Sequence, residues 1–349
     1  MQQSKLEIAK NIEESKAGNN STAYSYAYRL SQAFDYVAIM RPLLLIPVWT
    51  IVLLGYYRVI KDDLTTQMQL PFFGNIGFII RPHQEILTVL LLYSLLMGAI
   101  YILNQLTDSK TDSINGKLYL ISNGHLKKSS MKSQFGILLT VSISLSFLNL
   151  PITCSLLILL SAIMGIAYSV PPVRLKGRPI LDLLANASGF GIIAFSVGWT
   201  SKASFSSDLI LDSIPYFLCV SSAFINTTIP DIEGDAHNGD KTTGVFLGIQ
   251  KSCLISTLIL ILAIIAGIYR RDIVPLIAST ISLPFFIYMT VSNWGSKTNI
   301  RAISLATKIS VLTLSLLVSF LIPLYFVMLV LTILLVRLYY QVRFGLKYP

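Results

Sequence analysis

The sequence predicts an all-α fold, a polytopic bundle of transmembrane helices, and three observations carry that expectation. Of 349 residues, 54% are hydrophobic and only 13% charged, against roughly 25% charged in an ordinary soluble domain. The apolar residues form long unbroken blocks, not stripes of helical period, and most blocks approach the roughly 20 residues that cross about 30 Å of hydrocarbon. The polar segments between blocks are too short for a second folded domain.

Residues 1–35 are polar, carry Glu7, Glu13 and Glu14, and lack the apolar core of a secretory signal, so they are expected to form a cytosolic tail. Tyr24, Tyr26, Tyr28 and Leu30 give that tail a stretch able to lie along the membrane interface. Spans follow at 42–57, 86–106, 134–150, 152–168, 180–200, 213–229, 252–268, 273–292 and 303–321. A tenth block at 323–340 is parted from the ninth only by a turn at Pro323, so the chain has nine spans, or ten if that turn is real. The membrane domain then covers 36–340, and 341–349 form a basic tail.

The net charge of +10 comes from 27 Lys and Arg against 17 Asp and Glu. No basic face is interleaved with aromatic residues, which argues against nucleic acid and for topology and for anionic lipid or phosphate binding. With the N-terminus inside and ten spans, only Arg58, Lys61, Arg81, Lys202, Arg270 and Arg271 fall on outer segments. The positive-inside bias therefore predicts a multi-pass protein of the cell membrane, with its N-terminus and four polar, site-bearing segments in the cytoplasm. Cys154, Cys219 and Cys253 lie in apolar blocks and read as reduced packing residues. No zinc-type ligand spacing occurs, and His83 and His237 read as solvated.

Chemistry concentrates at two inner span ends. The second span closes in YILNQLTDSKTD, where Asn104, Asp108 and Asp112 stand four residues apart and share one helix face. Like charges at that spacing repel on a bare helix; beside a divalent cation they become two carboxylates and an amide oxygen. After the sixth span, PDIEGD repeats the spacing with Asp231 and Asp235 at the same inner surface. Two acidic helix ends suit Mg²⁺, which takes oxygen ligands and commonly binds with substrate phosphates. Between them the loop AYSVPPVRLKGRP is stiffened by Pro171 and Pro172 and offers Arg174, Lys176 and Arg178 to phosphate oxygens. For Arg178 the topological role alone is an equal reading, and Tyr168 is either a phosphate donor or an ordinary interfacial tyrosine.

In this order and spacing the motifs resemble those of the intramembrane aromatic prenyltransferases of the UbiA superfamily, over residues 35–320. NQLTDSKTD is similar to the family's first acidic motif at Asn104, Asp108 and Asp112, and the N-Q form, followed by Asn115 and SNGHLKKSS, looks closest to the homogentisate branch. YSVPPVRLKGRP resembles the family's basic loop. PDIEGD with Gly239, Thr242 and the later Leu247–Gly248 resembles its second motif. Gln105 stands at one expected acid, and Thr227 and Thr228 replace a Lys-Asp pair.

The resemblance implies Mg²⁺-dependent transfer of an isoprenyl group from an allylic diphosphate to an aromatic, quinone-precursor-like acceptor, with diphosphate released. It gives Asn104, Asp108, Asp112, Asp231 and Asp235 to the metal, with the four acids catalytic. Arg174, Lys176, Tyr168 and Arg41 go to the diphosphate, although Arg41 reads equally as a snorkelling interfacial residue. Tyr101, Phe190 and Phe224 are candidates to shelter a carbocation, and Asn123 and His125 weaker candidates to touch the acceptor. Membrane lipid surrounds the site. A lipid, porphyrin or carotenoid acceptor on the same fold is one alternative. A non-enzymatic transporter is another, disfavoured because the acids cluster at one face and not at mid-span.

Overall fold

The computed structural model of the protein describes residues 22–64, 66–114, 120–121, 124–237, 239–295 and 298–346. Among the described residues thirteen α-helices occur, numbered in chain order as α1 (Thr22–Ala38), α2 (Pro42–Ile60), α3 (Gln84–Ile114), α4 (Lys128–Asn149), α5 (Ile152–Ser169), α6 (Leu181–Ala187), α7 (Phe195–Thr200), α8 (Ser207–Thr228), α9 (Ile232–His237), α10 (Thr243–Tyr269), α11 (Ile273–Ser292), α12 (Ile300–Leu321) and α13 (Pro323–Phe344). A π-helical turn over Ser188–Ala194 joins α6 to α7. Among the described residues, ten helical stretches are long and apolar enough to cross a membrane. The tenth is therefore a span of its own: α12 closes with Ile322 N–H donating to Val318 O, and Pro323 starts α13 at a position that needs no N–H.

Several helices begin earlier than the apolar blocks suggest, because polar caps extend them. Ser206 caps α8, Thr242 caps α10 and Asn299 caps α12, each accepting a backbone N–H of the first turn, while Asp272 caps α11 at the start expected for it. The segment after α2, which carries no clear alternating pattern, forms a small hairpin of β1 (Gln67–Leu70) and β2 (Gly74–Gly77), with Gln67 opposite Gly77.

The chain divides into two compact units. One gathers residues up to Ile46, Met97–Leu138 and those from Val327 onward. Its core joins Ile39, Ile102, Leu126, Met131, Tyr339 and Phe344. Asp35, only 2% exposed, accepts hydrogen bonds from Tyr339 Oη at 2.7 Å and from Arg343 Nε at 3.1 Å. Residues 22–35 and 341–346, expected as tails, thus contribute α1 and the end of α13 to this unit. A lone acid in a polar stretch gives no hint of a partner some three hundred residues away.

The other unit comprises Pro47–Leu96 and Leu139–Phe326. Here α8 is the hub, packing on α10, α6 and the π-helical turn, while α10 packs on α11 and α11 on α12. Gly198 lets α7 approach α2 closely: a Cβ there would lie 1.8 Å from Val52 O. Such small-residue contacts bring membrane helices together where lipid offers no hydrophobic drive.

Candidate active site

The first acidic motif ends α3 in the first unit. Asn104 and Asp108 are half-buried, and Asn104 O accepts a hydrogen bond from Thr107 Oγ1. Asp112 lies on the same helix, with its side chain outside the described residues; Asn123 lies outside them altogether. Gln105 is buried and donates to Ile39 O at 2.8 Å and Tyr101 O at 3.1 Å. Two carbonyls demand a donor, so a carboxylate at 105 would be repelled where the amide is held. The residue that departs from the family's acidic pattern therefore fastens α3 to the end of α1. Tyr101 Oη donates to Leu44 O at 3.1 Å. Arg41, at a positive φ of 51°, lines a cavity of about 600 Å³ with Pro42, Leu44, Gln105, Val336 and Tyr339. His125 packs the edge of its ring against Phe344 at 5.2 Å between centroids.

The second motif belongs to the other unit, and there the structure brings it together with the basic loop. Asp231 ends the 3-10 turn Ile229–Asp231 that follows α8 and is exposed. Asp235, on α9, is half-buried and accepts from Thr242 Oγ1 at 3.1 Å. Thr227 and Thr228, in place of a Lys-Asp pair, turn their hydroxyls back to Phe224 O and Ile225 O and contribute no charge. Gly248 interrupts α10 at φ 71°, a conformation open to glycine, which accounts for the Leu247–Gly248 pair.

The basic loop follows α5, whose penultimate residue is the half-buried Tyr168. Arg174 meets Asp240 in a two-pronged ion pair, Nη1 to Oδ1 and Nη2 to Oδ2, the latter at 3.1 Å. A fork held this way is fixed in orientation. Lys176 is half-buried nearby in sequence, and Arg178 Nη2 donates within the loop to Pro172 O at 2.9 Å. Lys241 N–H donates to Gly177 O at 3.3 Å. The residue missed from the sequence is Asp182, 1% exposed in the first turn of α6. It accepts from Thr243 N–H at 2.7 Å, from Thr243 Oγ1, and from Leu183 N–H at 2.8 Å. One acid among leucines carries no sequence signal of that role.

Among the described residues no three His, Cys, Asp or Glu side chains converge on one point. The residues expected from the sequence to hold a metal carry hard oxygens: in one unit the amide of Asn104 and the carboxylate of Asp108, in the other the carboxylates of Asp231 and Asp235. All three cysteines are free and sit within the spans. That donor chemistry fits Mg²⁺ and not a soft metal.

A family model described as the UbiA prenyltransferase family matches residues 77–310. The chain belongs to that family. This UbiA family member is 27% identical to digeranylgeranylglyceryl phosphate synthase of Sulfurisphaera tokodaii, over 55% of this chain and 69% of that protein. It is 26% identical to a probable homogentisate phytyltransferase 2 of Oryza sativa, over 53% of this chain and 51% of that one, so the match spans about half the plant protein. Its fold is that of a UbiA homolog from Archaeoglobus fulgidus solved with DMAPP and Mg²⁺, with a TM-score of 0.60 and 18% identity over 82% of this chain and 99% of that one. It is an integral membrane protein of the UbiA family, and the ten membrane-length helical stretches among the described residues agree with that.

Proposed function

We propose that this UbiA family member transfers an isoprenyl group from an allylic isoprenyl diphosphate to an aromatic, quinone-precursor-like acceptor and releases diphosphate. The observation that carries the reading is the union, in one unit, of a cationic loop with a carboxylate motif, tied by Arg174 to Asp240 and by Lys241 N–H to Gly177 O. Cations and carboxylates side by side suit a metal-bound polyanion better than a bare anion, which the carboxylates alone would repel.

Asn104, Asp108, Asp112, Asp231 and Asp235 are the residues we assign to Mg²⁺, which when bound supplies Lewis-acid neutralisation of the diphosphate. The chain's own part follows from its side chains. Arg174 and Lys176 place fixed positive charge where the leaving diphosphate gains negative charge as the allylic C–O bond breaks. Asp240 holds the Arg174 fork in one plane, so little ordering is left to the moment of reaction. Arg41 and Tyr168 are assigned to the head group, Asn123 and His125 to the acceptor, and the apolar spans exclude the water that would quench an allylic cation. Tyr101, Phe190 and Phe224 are assigned as π-faces for that cation. An acceptor carbon then attacks the allylic carbon and loses its proton. The N-terminus and these segments are assigned to the cytoplasmic side by the distribution of Lys and Arg.

The archaeal relative named for a glyceryl phosphate product favours a lipid acceptor as the second reading. Proteoliposomes given a labelled allylic diphosphate test both. Labelled diphosphate released with Mg²⁺ and abolished by EDTA is expected, with product formed on an aromatic acceptor. Product only on a glyceryl phosphate lipid would move the assignment to the second reading. Ion flux without diphosphate release would overturn both.

A further inference from the structure

The basic loop is bounded by two non-glycine residues at positive φ, Arg174 at 37° and Ile180 at 68°. Positive φ is unfavourable for a β-branched residue and persists only where the surroundings hold it. Both points are held by the segment just beyond the second acidic motif. Arg174 is gripped by Asp240, whose N–H donates to Asp235 O at 3.0 Å. Ile180 N–H donates to Thr243 Oγ1 at 2.8 Å, and that hydroxyl in turn donates to Asp182. Asp182 Oδ2 also takes Thr243 N–H at 2.7 Å. The carboxylate is thus buried, loaded with donors and directed at backbone, an arrangement suited to fixing a loop and closed to a substrate.

We propose that Asp182 and Thr243 are positioning residues, a clasp that locks the basic loop onto the segment following Asp235 so that Arg174 and Lys176 are presented to the donor's diphosphate in one fixed register with the second motif. The inference rests on the transferase reading for its consequence but on the hydrogen bonds alone for its existence. Thr243 Oγ1 is the pivot, because it accepts the strained residue's N–H and donates its own hydrogen bond to the carboxylate. Removing the hydroxyl leaves the Thr243 N–H bond to Asp182 in place, so the fold survives while the grip on Ile180 is lost. Freed of that bond, the loop relaxes toward unstrained φ and carries its cations with it.

The test compares Thr243→Val with Thr243→Ser in the reconstituted full-length protein, and adds Asp182→Ala where that variant accumulates. Trypsin cleavage after Arg174 and Lys176 is timed with and without Mg²⁺ and inorganic pyrophosphate, and donor KM and kcat are measured separately. For Thr243→Val, cleavage faster by about tenfold and a donor KM higher by about tenfold, with kcat within about threefold, is the size expected from one lost hydrogen bond acting on ground-state binding. Thr243→Ser restores both. Unchanged cleavage and KM in Thr243→Val, or equal damage in Thr243→Ser, overturns the clasp. If the parent protein transfers no isoprenyl group, the functional reading fails, and the cleavage comparison still decides the clasp.

Discussion

At its N-terminal end α8 presents Asp208 and Asp212 to Arg58 and Arg270; at its C-terminal end it runs through Asp231 into Asp235 and the loop that carries Asp240. The first end is closed. Asp212, with 5% of its side chain exposed, accepts Arg58 Nε at 2.8 Å and Arg270 Nε at 2.7 Å. Arg58 also reaches Arg270 O at 3.0 Å, and Tyr216 Oη donates to the buried Asp272 at 2.8 Å. Burial pushes the Asp272 carboxyl above the usual carboxylate range, with the Arg58 charge opposing. The second end is open: Asp231 is exposed, Asp235 is half-buried, and the cations sit on a loop fixed by backbone bonds. Closed ion pairs hold helices together, whereas exposed charge at the rim of a membrane bundle is solvated and within reach of a ligand.

The largest effect is expected among the acids assigned to Mg²⁺, here the one near the end of α3. Asp108→Ala is expected to lower turnover by about a hundredfold or more, the scale of losing a group that stabilises developing charge, with melting temperature unchanged. Labelled diphosphate release per folded molecule checks it, and a variant keeping more than about a tenth of the parent rate would remove Asp108 from the metal-binding set.

Asp212→Ala should do the opposite. It removes the carboxylate shared by two half-buried guanidinium groups and leaves Arg270 only Asp208 and Arg58 only Arg270 O, for which the expected loss is about 3 kcal/mol of stability, read as a lowered melting temperature in detergent. Survival at the parent temperature would show that the pairs at the closed end hold nothing together.

Gln105→Glu sharpens the contrast between an acid that fits and one that does not. Placing a carboxylate against Ile39 O and Tyr101 O should cost about 1–3 kcal/mol in stability and gain no activity, measured by thermal unfolding and turnover together. A more active variant would restore an acidic role to position 105.

The smallest effect is at His125, whose imidazole is held below its ordinary value of 6.5 by burial against its neighbours and by the nearby Arg343 charge. The folded protein resists protonation there, so this contribution is present above the unfolded value and is lost as pH falls through 6.5 toward the lower folded value. His125→Gln should flatten that part of the stability profile, and an unchanged slope between parent and variant would contradict it.

Nine spans were legible because lipid imposes length and composition on every helix, whereas the short turn at Pro323 left the tenth open. Spacing and charge marked the acids and the basic loop as candidates for the site. What stayed hidden depends on pairing across long separations: Asp35 with Arg343, Arg174 with Asp240, and Asp182 with Thr243 each join segments whose sequences carry no mark of one another. Gln105 looked like a lost acid because its carbonyl partners are backbone atoms, invisible in the residue types.

One preparation decides whether chemistry lives at the open end of α8. Parent, Asp231→Ala and Asp212→Ala proteins, reconstituted side by side and normalised for folded protein, are given a labelled allylic diphosphate with Mg²⁺. The account predicts diphosphate release near the parent rate for folded Asp212→Ala and a loss of about a hundredfold for Asp231→Ala. Full release by Asp231→Ala, or its loss in folded Asp212→Ala alone, would contradict it.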